Sequence, residues 1–304
     1  MSEDADTQPA PWTPESIIAQ FEADPDRYQR AAVDAALAQR DAVIRVLIEV
    51  MRDVHRNPDD TQYTIAYIYA FFLLGHFRAV EAHPTLLEIG HLDKEVQWNL
   101  YGDLVTEDYF MVLLSTCGGD FSGIKQLAED TSANMFARSA AAHALITSVM
   151  LGLADRDDVL HYCRELLERE MAVDSEFASL LANDLLDLRP VELLPLFERG
   201  YAEESLDPTF TTLDHMKQIL DEGWSDHEKR IQDQLQHYSL DDVHASMSGM
   251  NWPGDRPPVT QLLPPPKPSS DLFRLSNKSL AAQKAQKKKK RKTADASRKR
   301  NRRK

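Results

Sequence analysis

The sequence predicts an all-α protein, a stack of antiparallel helix pairs (an α-solenoid) ending in a disordered basic tail. Three observations carry that reading. From Thr13 to about Ser246 apolar residues recur every three or four positions, and no period-two segment flanked by turn residues interrupts them. The helical segments come in pairs separated by polar turns, at intervals of roughly 35–40 residues, near the length of one unit in stacked helix-pair proteins. One segment, ANMFARSAAAHALITSVM, crowds Ala140, Ala141, Ala142 and Ala144 onto a helix whose larger knobs are Phe136, Leu145 and Val149. Small side chains let a neighbouring helix approach to about 8 Å, the close end of interaxial distances.

The first element starts at Thr13-Pro14-Glu15. Thr13 is placed to cap, Pro14 fits the first helical position, and Ile17, Ile18 and Phe21 fall on one side. After the polar break DPD, the stretch RYQRAAVDAALAQRDAVIRVLIEVMRDVHRNPDD reads as two helices meeting near Gln39 to Asp41 and ending at Asn57-Pro58. Val43, Leu47, Val50 and Val54 make a stripe along the second, which must pack against a neighbour. QYTIAYIYAFFLLGHFRAVEAH is apolar nearly all round, as expected of a helix held between layers. Then DFSGIKQLAED pairs with MFARSAAAHALITSVMLGL across TSAN, DRDDVLHYCRELLERE pairs with SEFASLLANDLLDL, and Pro190 opens VELLPLFERGYAEES. The texture changes after Met250. NWPGDRPPVTQLLPPPKPSS holds seven of the 16 prolines and reads as an extended polyproline-like linker. The expected division is a disordered start over 1–12, a helical domain over 13–246, a Pro-rich linker over 247–277 and a Lys/Arg-rich tail over 278–304.

Charge divides the chain more sharply than its formal total of −14 suggests. Residues 278–304 hold 14 of the 35 Lys and Arg and one of the 49 acids, a net of +13, which leaves residues 1–277 at −27. The body repels free nucleic acid and the tail attracts it. The tail cations expected to make contacts are Lys287, Lys288, Lys289, Lys290, Arg291, Lys292, Arg298, Lys299, Arg300, Arg302, Arg303 and Lys304. Their target is either the phosphates of RNA or DNA, without base readout because no aromatics interleave, or the acidic body itself. Cys117 and Cys163 stand far apart with no CxxC partner, which predicts two buried reduced thiols rather than a disulfide framework or thiolate zinc site. The opening MSEDADTQPAPWTPES lacks the basic and apolar regions of a signal peptide. The apolar run TIAYIYAFFLLGHF falls short of the ~20 residues needed to span a bilayer. A cytoplasmic protein without a membrane partner is expected.

The segments RAAVDAALAQRDAVIRVLIEV, GDLVTEDYFMVLLSTCGGDFSGIKQLAED and FARSAAAHALITSVMLG resemble a bacterial family of uncharacterised HEAT-like helical proteins. The resemblance covers roughly residues 13–240. Its marks are Gly102, Asp103 and Thr106 before a helix, then Arg138, Ala140, Ala141, Ala144 and Leu145 in an Arg-x-Ala-Ala-x-x-Ala-Leu pattern. Related chains often end in a cysteine-rich SEC-C zinc motif. No cysteine follows Cys163 here, so the resemblance implies no zinc. It implies a HEAT-like fold and no reaction.

Several groups invite a chemical reading. His76 and His83, with Glu81 between them, would need a common face to hold a metal, and Pro84 disturbs the helix there. His161 and Cys163 are two apart and so point in different directions on a helix, which disfavours a Cys–His pair. Asp155, Asp157 and Asp158 lack the glycine and distal glutamate of a calcium loop and suit a helix N-terminus instead. Asp103, Glu107 and Asp108 have the same explanation, with the resemblance giving Asp103 a functional alternative. Arg138 is expected to make an ion pair or hydrogen bond to the adjacent repeat, through Glu129 or Asp130. No phosphate-binding loop, dinucleotide turn, HExxH helix or GxSxG elbow occurs.

These readings predict a non-enzymatic protein-interaction module without a cofactor, presenting an acidic surface to a protein partner. Two alternatives compete with it. One is a nucleic-acid- or ribosome-associated protein that uses its tail for phosphate contacts. The other, by analogy of fold alone, is a helical-repeat hydrolase or base-modifying enzyme.

Overall fold

The computed structural model describes residues 12–248 apart from Asp60, together with Met250 and Trp252. The start over residues 1–11, most of the Pro-rich linker and the whole basic tail, Lys287 to Lys304 included, lie outside the described residues. The chain divides into two units, Met1–Asp255 and Arg256–Lys304, and everything below concerns the first. All regular structure among the described residues is helical.

α1 (Pro14–Ala23) starts as its sequence dictates. Thr13 accepts from the Ser16 amide at 3.2 Å while Ser16 accepts from the Thr13 amide at 2.8 Å, a reciprocal cap, and Ile17, Ile18 and Phe21 face inward. Gln39 separates α2 (Arg30–Ala38) from α3 (Arg40–Arg56), and the stripe Val43, Leu47, Val50 and Val54 is buried throughout. α4 (Ala66–His76) buries every residue from Ala66 to Gly75. Its first turn has no cap of its own. Glu22 of α1 supplies one, accepting from the amides of Thr64, Ile65 and Ala66 and from the Thr64 hydroxyl. Those bonds outweigh desolvation and hold the carboxyl below the ordinary glutamate value.

Short helices follow: α5 (His83–Leu87), α6 (Lys94–Tyr101) and α7 (Leu104–Glu107) lead into α8 (Tyr109–Thr116), which is buried along nearly its whole length. α9 (Ser122–Glu129) then pairs with α10 (Met135–Met150), and α11 (Arg156–Glu170) with α12 (Ser175–Asp184). A 3-10 turn, Leu185–Leu188, ends that pair. α13 (Leu194–Ala202) and α14 (Leu213–Asp221) pack on each other.

α4, α8, α10 and α12 pack each on the next, while α3 packs on α4, α9 on α10, and α11 on α10 and α12. α10 sits at the centre because its alanines, Ala137, Ala140, Ala141, Ala142 and Ala144, all buried, let neighbours approach on several sides. No helix among the described residues is long and apolar enough to cross a membrane.

The last two helices break from this succession. α15 (Trp224–His237) starts beside the turn after α12 and runs to α8, and α16 (Val243–Ser248) returns to α4. Leu240, between them, fills the groove where α4 and α8 meet. A Cβ added at Gly75 would come within 2.7 Å of Leu240 Cδ1 and 3.1 Å of Val112, so glycine here leaves the room that the Leu240 side chain fills. His76 Nδ1 meets the Leu240 carbonyl at 2.8 Å.

Candidate functional site

A gathering of titratable side chains lies where α8, α10, the end of α12 and α15 converge. α10 contributes Ser139 and His143, one turn apart and therefore on one face. Both reach Asp184 at the last position of α12. Ser139 Oγ stands 3.5 Å and His143 Nδ1 3.6 Å from Asp184 Oδ2. Phe110 of α8 stacks on the His143 ring at 4.3 Å and meets Tyr238 edge-on at 5.2 Å, so one aromatic residue joins α10 to the end of α15.

Three residues further along, Asp187 fastens the start of α15. Its carboxylate receives Arg230 Nη1 at 2.9 Å and its carbonyl meets His227 Nε2 at 3.0 Å. Arg230 Nη2 donates to His227 Nδ1 at 2.9 Å, so the network assigns the His227 proton to Nε2, facing the carbonyl. Burial, reinforced by Arg230, depresses the pKa of that imidazole. Glu222 Oε2 lies 3.7 Å from Arg230 Nε.

The electrostatics of the face follow from crowding acids in a dry place. Burial pushes Asp184 up to about 6, helped by the Asp187 charge and opposed by His143. Burial and Glu107 push Asp108 up to about 6 as well, with His237 opposing. Tyr238 is raised by burial and by the charges of Glu107, Asp108 and Asp187. Beside this face an open cleft of about 510 Å³ runs along one stripe of α15 that includes Arg230, Gln234, His237 and Tyr238. At the far end of α15 a second cavity, about 340 Å³, opens among Gly75, Met111, Leu114, Leu151, Leu235 and Leu240.

Ser139 is directed at the carboxylate rather than the imidazole, so Ser139, Asp184 and His143 do not form the nucleophile–base–orienter line of an acyl-transfer site. The face gathers largely buried carboxylates, Asp184 beside His143 and Asp187 paired with Arg230, against the aromatic rings of Phe110 and Tyr238.

The residues singled out in the sequence lie mostly elsewhere. Arg138 is 2% exposed at the α10–α11 contact. It pairs not with Glu129 or Asp130 but with Glu170 at 3.0 Å and Asp174 at 3.7 Å, donates to the Ala128 carbonyl at 3.1 Å, and lies 3.9 Å over the Phe177 ring. Asp130 is already engaged by Ser132 and His91, which hold it near 2. Asp103 is exposed, and its carbonyl, not its carboxylate, takes the Thr106 hydroxyl at 2.8 Å. Asp155 caps α11 through the amides of Asp157 and Asp158.

His76 and His83 are occupied separately, His76 with Leu240 and His83 in the core with Thr116 at 3.0 Å. His161 is exposed beside Glu165 while Cys163 is buried, its thiol pushed up to about 12 by burial. No group of three or more His, Cys, Asp or Glu among the described residues could hold a metal ion.

Asp184, Asp187, His143 and Arg230 escaped the sequence reading because no spacing rule joins positions up to 87 apart. The available signal was local. Ser139 and His143 are polar positions one turn apart on an alanine-rich helix, and Asp184 and Asp187 interrupt the apolar run LLANDLLDL.

Two similar proteins are described as uncharacterised. An uncharacterised protein of Chlamydia muridarum (strain MoPn / Nigg) is 27% identical over 199 residues, covering 64% of this chain and 79% of that protein. One of Chlamydia trachomatis serovar D is 27% identical over 199 residues, 64% of this chain and 78% of its own. No solved structure matches the chain. Residues 13–255, which hold all the helices described above, match the family described as "Protein of unknown function (DUF1186)", and the chain belongs to that family.

Proposed function

We propose that this protein is a non-enzymatic interaction module of the cytoplasm, a HEAT-like stack of helix pairs that presents acidic surface to a basic protein partner. The observation that carries the reading is the face formed by Asp108, Asp184 and Asp187 between α8, α10 and α15, set in a body of net charge −27 over residues 1–277. Two raised carboxyl groups on one face are groups whose ionised form lacks compensation, and a cation brought to them supplies it. Arg138, tied to Glu170 and Asp174 of the following pair, serves the stack by fixing its register. The residues in the family's Gly102–Thr106 segment support no separate site.

The composition of residues 278–304 favours a second reading, in which the tail adds contacts to RNA or DNA phosphates and brings the body to a nucleoprotein partner. Affinity capture with the full chain and with a chain truncated after Asn277, each with and without nuclease, separates the two. A partner retained by the truncated chain after nuclease treatment supports the acidic body as the binding surface. Capture that vanishes with the tail or with nuclease replaces that reading by the phosphate one. Turnover of a small substrate by the purified body, with no partner recovered, would overturn both.

A further inference from the structure

α15 does not stack as the other helices do. Of its residues only His227 and Ile231 are buried among those whose side chains are described, and most of the remainder face solvent. At about 1.5 Å per residue its 14 residues extend about 21 Å. From Arg230, at the turn after α12, to Tyr238, at α8, is eight residues or about 12 Å, little more than one interaxial spacing of 8–10 Å.

Its attachments are few and of three kinds. In its first half His227 and Arg230 bind Asp187; past its last residue Tyr238 leans on Phe110, and Leu240 enters the notch over Gly75. Glu222 Oε2, Arg230 Nε and Gln234 Oε1 are buried without a hydrogen-bond partner, the first two 3.7 Å apart as an ion pair. Open space flanks the helix along one stripe and beyond its end.

Both ends of α15 are held independently of α15. Before it, Arg189 Nη2 donates to the Leu220 carbonyl of α14 at 2.9 Å. After it, α16 is fixed by His244, which meets Tyr28 at 2.6 Å and Asp34 at 3.0 Å, and Trp252 packs on Tyr28 and Tyr69. Irregular segments, Glu222–Gly223 and Ser239–Asp242, flank it on the two sides. α15 can therefore leave the face without releasing either anchor.

We infer that α15 is a tethered stand-in for a ligand, and that the face beneath it binds a basic amphipathic helix from another protein. That helix places an arginine or lysine at Asp187, and the chain just past its C-terminal end places aromatic and aliphatic side chains at Phe110 and Gly75. Arg230 of α15, with Tyr238 and Leu240 after it, displays this order. A cationic helix gains more than α15 does, since α15, with three acids against Lys229 and Arg230, is itself net negative and lies on a body that is already strongly negative. The tethered helix competes at high effective concentration, so only a helix of better charge match displaces it. This inference rests on the interaction reading above and specifies its surface.

The test uses two labelled synthetic peptides, one with the sequence of residues 224–241 and one in which Asp226, Glu228 and Asp233 are changed to Lys. Fluorescence anisotropy measures each against the full chain, against a full chain with residues 224–237 replaced by a Gly/Ser linker, and against Asp187→Asn. The linker chain is expected to bind both peptides, the lysine peptide at least threefold tighter at low salt and progressively less as salt rises. The intact chain is expected to bind the lysine peptide at least tenfold more weakly than the linker chain, and Asp187→Asn to lose a further several-fold.

Should the linker chain not fold, hydrogen exchange on the intact chain decides. α15 amides must lose protection when the lysine peptide saturates, while α8 and α10 keep theirs. Peptide binding indifferent to Asp187→Asn, with α15 protection unchanged, overturns the groove and leaves the interaction reading standing. No binding of the lysine peptide by any of the three chains overturns the groove, while the interaction reading stands or falls with the capture experiment.

Discussion

At the scale of single residues, buried charge sets the largest effects. Arg138 and Glu170 are 3% and 1% exposed at their side chains, so removing one strands the other in a dry contact. Arg138→Met is expected to cost about 3–5 kcal/mol by urea unfolding, whereas Arg138→Met combined with Glu170→Leu should recover most of that loss. Asp184 behaves oppositely. Its folded carboxyl titrates near 6, above the ordinary aspartate value of 3.8, so between those values the folded state binds the extra proton. Stability from this residue therefore rises as pH falls from 7 toward 4, and the full penalty stands above pH 6. Denaturation from pH 5 to 8 should show Asp184→Asn more stable than the parent by about 2 kcal/mol at pH 7.5, with the gap closing toward pH 5. His55, His83 and His227, depressed by burial, pull the parent's total the other way below about 6.5, but they cancel in the comparison of the two chains. The role of Arg138 as an ion-pair former was legible in the sequence. Its partners were not, because Glu170 and Asp174 lie more than thirty positions on and reach it only through the packing of α11 against α10.

At the scale of elements, whatever is decided locally could be read in advance. The reciprocal cap of α1, the break at Gln39, the apolar sheath of α4 and the two pairs from Ser122 to Asp184 all follow from neighbouring residues. The start of α4 shows where local reading ends, since its cap is supplied by Glu22, more than forty positions earlier. Glu22→Gln keeps the shape and removes the charge that three amides share. Thermal unfolding at pH 7 is expected to show a loss of about 1–2 kcal/mol, comparable to other lost caps. Because the Glu22 carboxyl lies below its unfolded value of 4.5, its contribution is present above that value and is lost as pH falls through the folded one. The mutant and parent should therefore converge in acid. α15 was the element least legible in advance. Its sequence supports a helix, but nothing in WSDHEKRIQDQLQH tells whether it extends the succession or crosses it. That depends on Asp187 and Phe110, which belong to other helices.

At the scale of the whole helical unit, the decisive contact joins its last described residue to its earliest helices. Trp252 is 4% exposed, donates to the Met247 carbonyl at 2.8 Å, and lies 5.4 Å from Tyr69, which stacks on Phe21 of α1 at 4.0 Å. Trp252→Ala is expected to cost about 3–5 kcal/mol. It should also turn one thermal transition into two, seen as separated melting steps in near- and far-ultraviolet circular dichroism. An array in which each member touches only its neighbours frays from its ends. Here the two ends are spliced to each other, so neither can open alone and cooperativity extends around a closed circuit. Synthesis runs in one direction, and the first helices emerge long before the tryptophan that completes their packing. Tyr28 and Tyr69 must therefore wait, uncovered, until almost all of the helical unit has been made, and this interval is when the nascent protein is most open to aggregation or to the attention of chaperones.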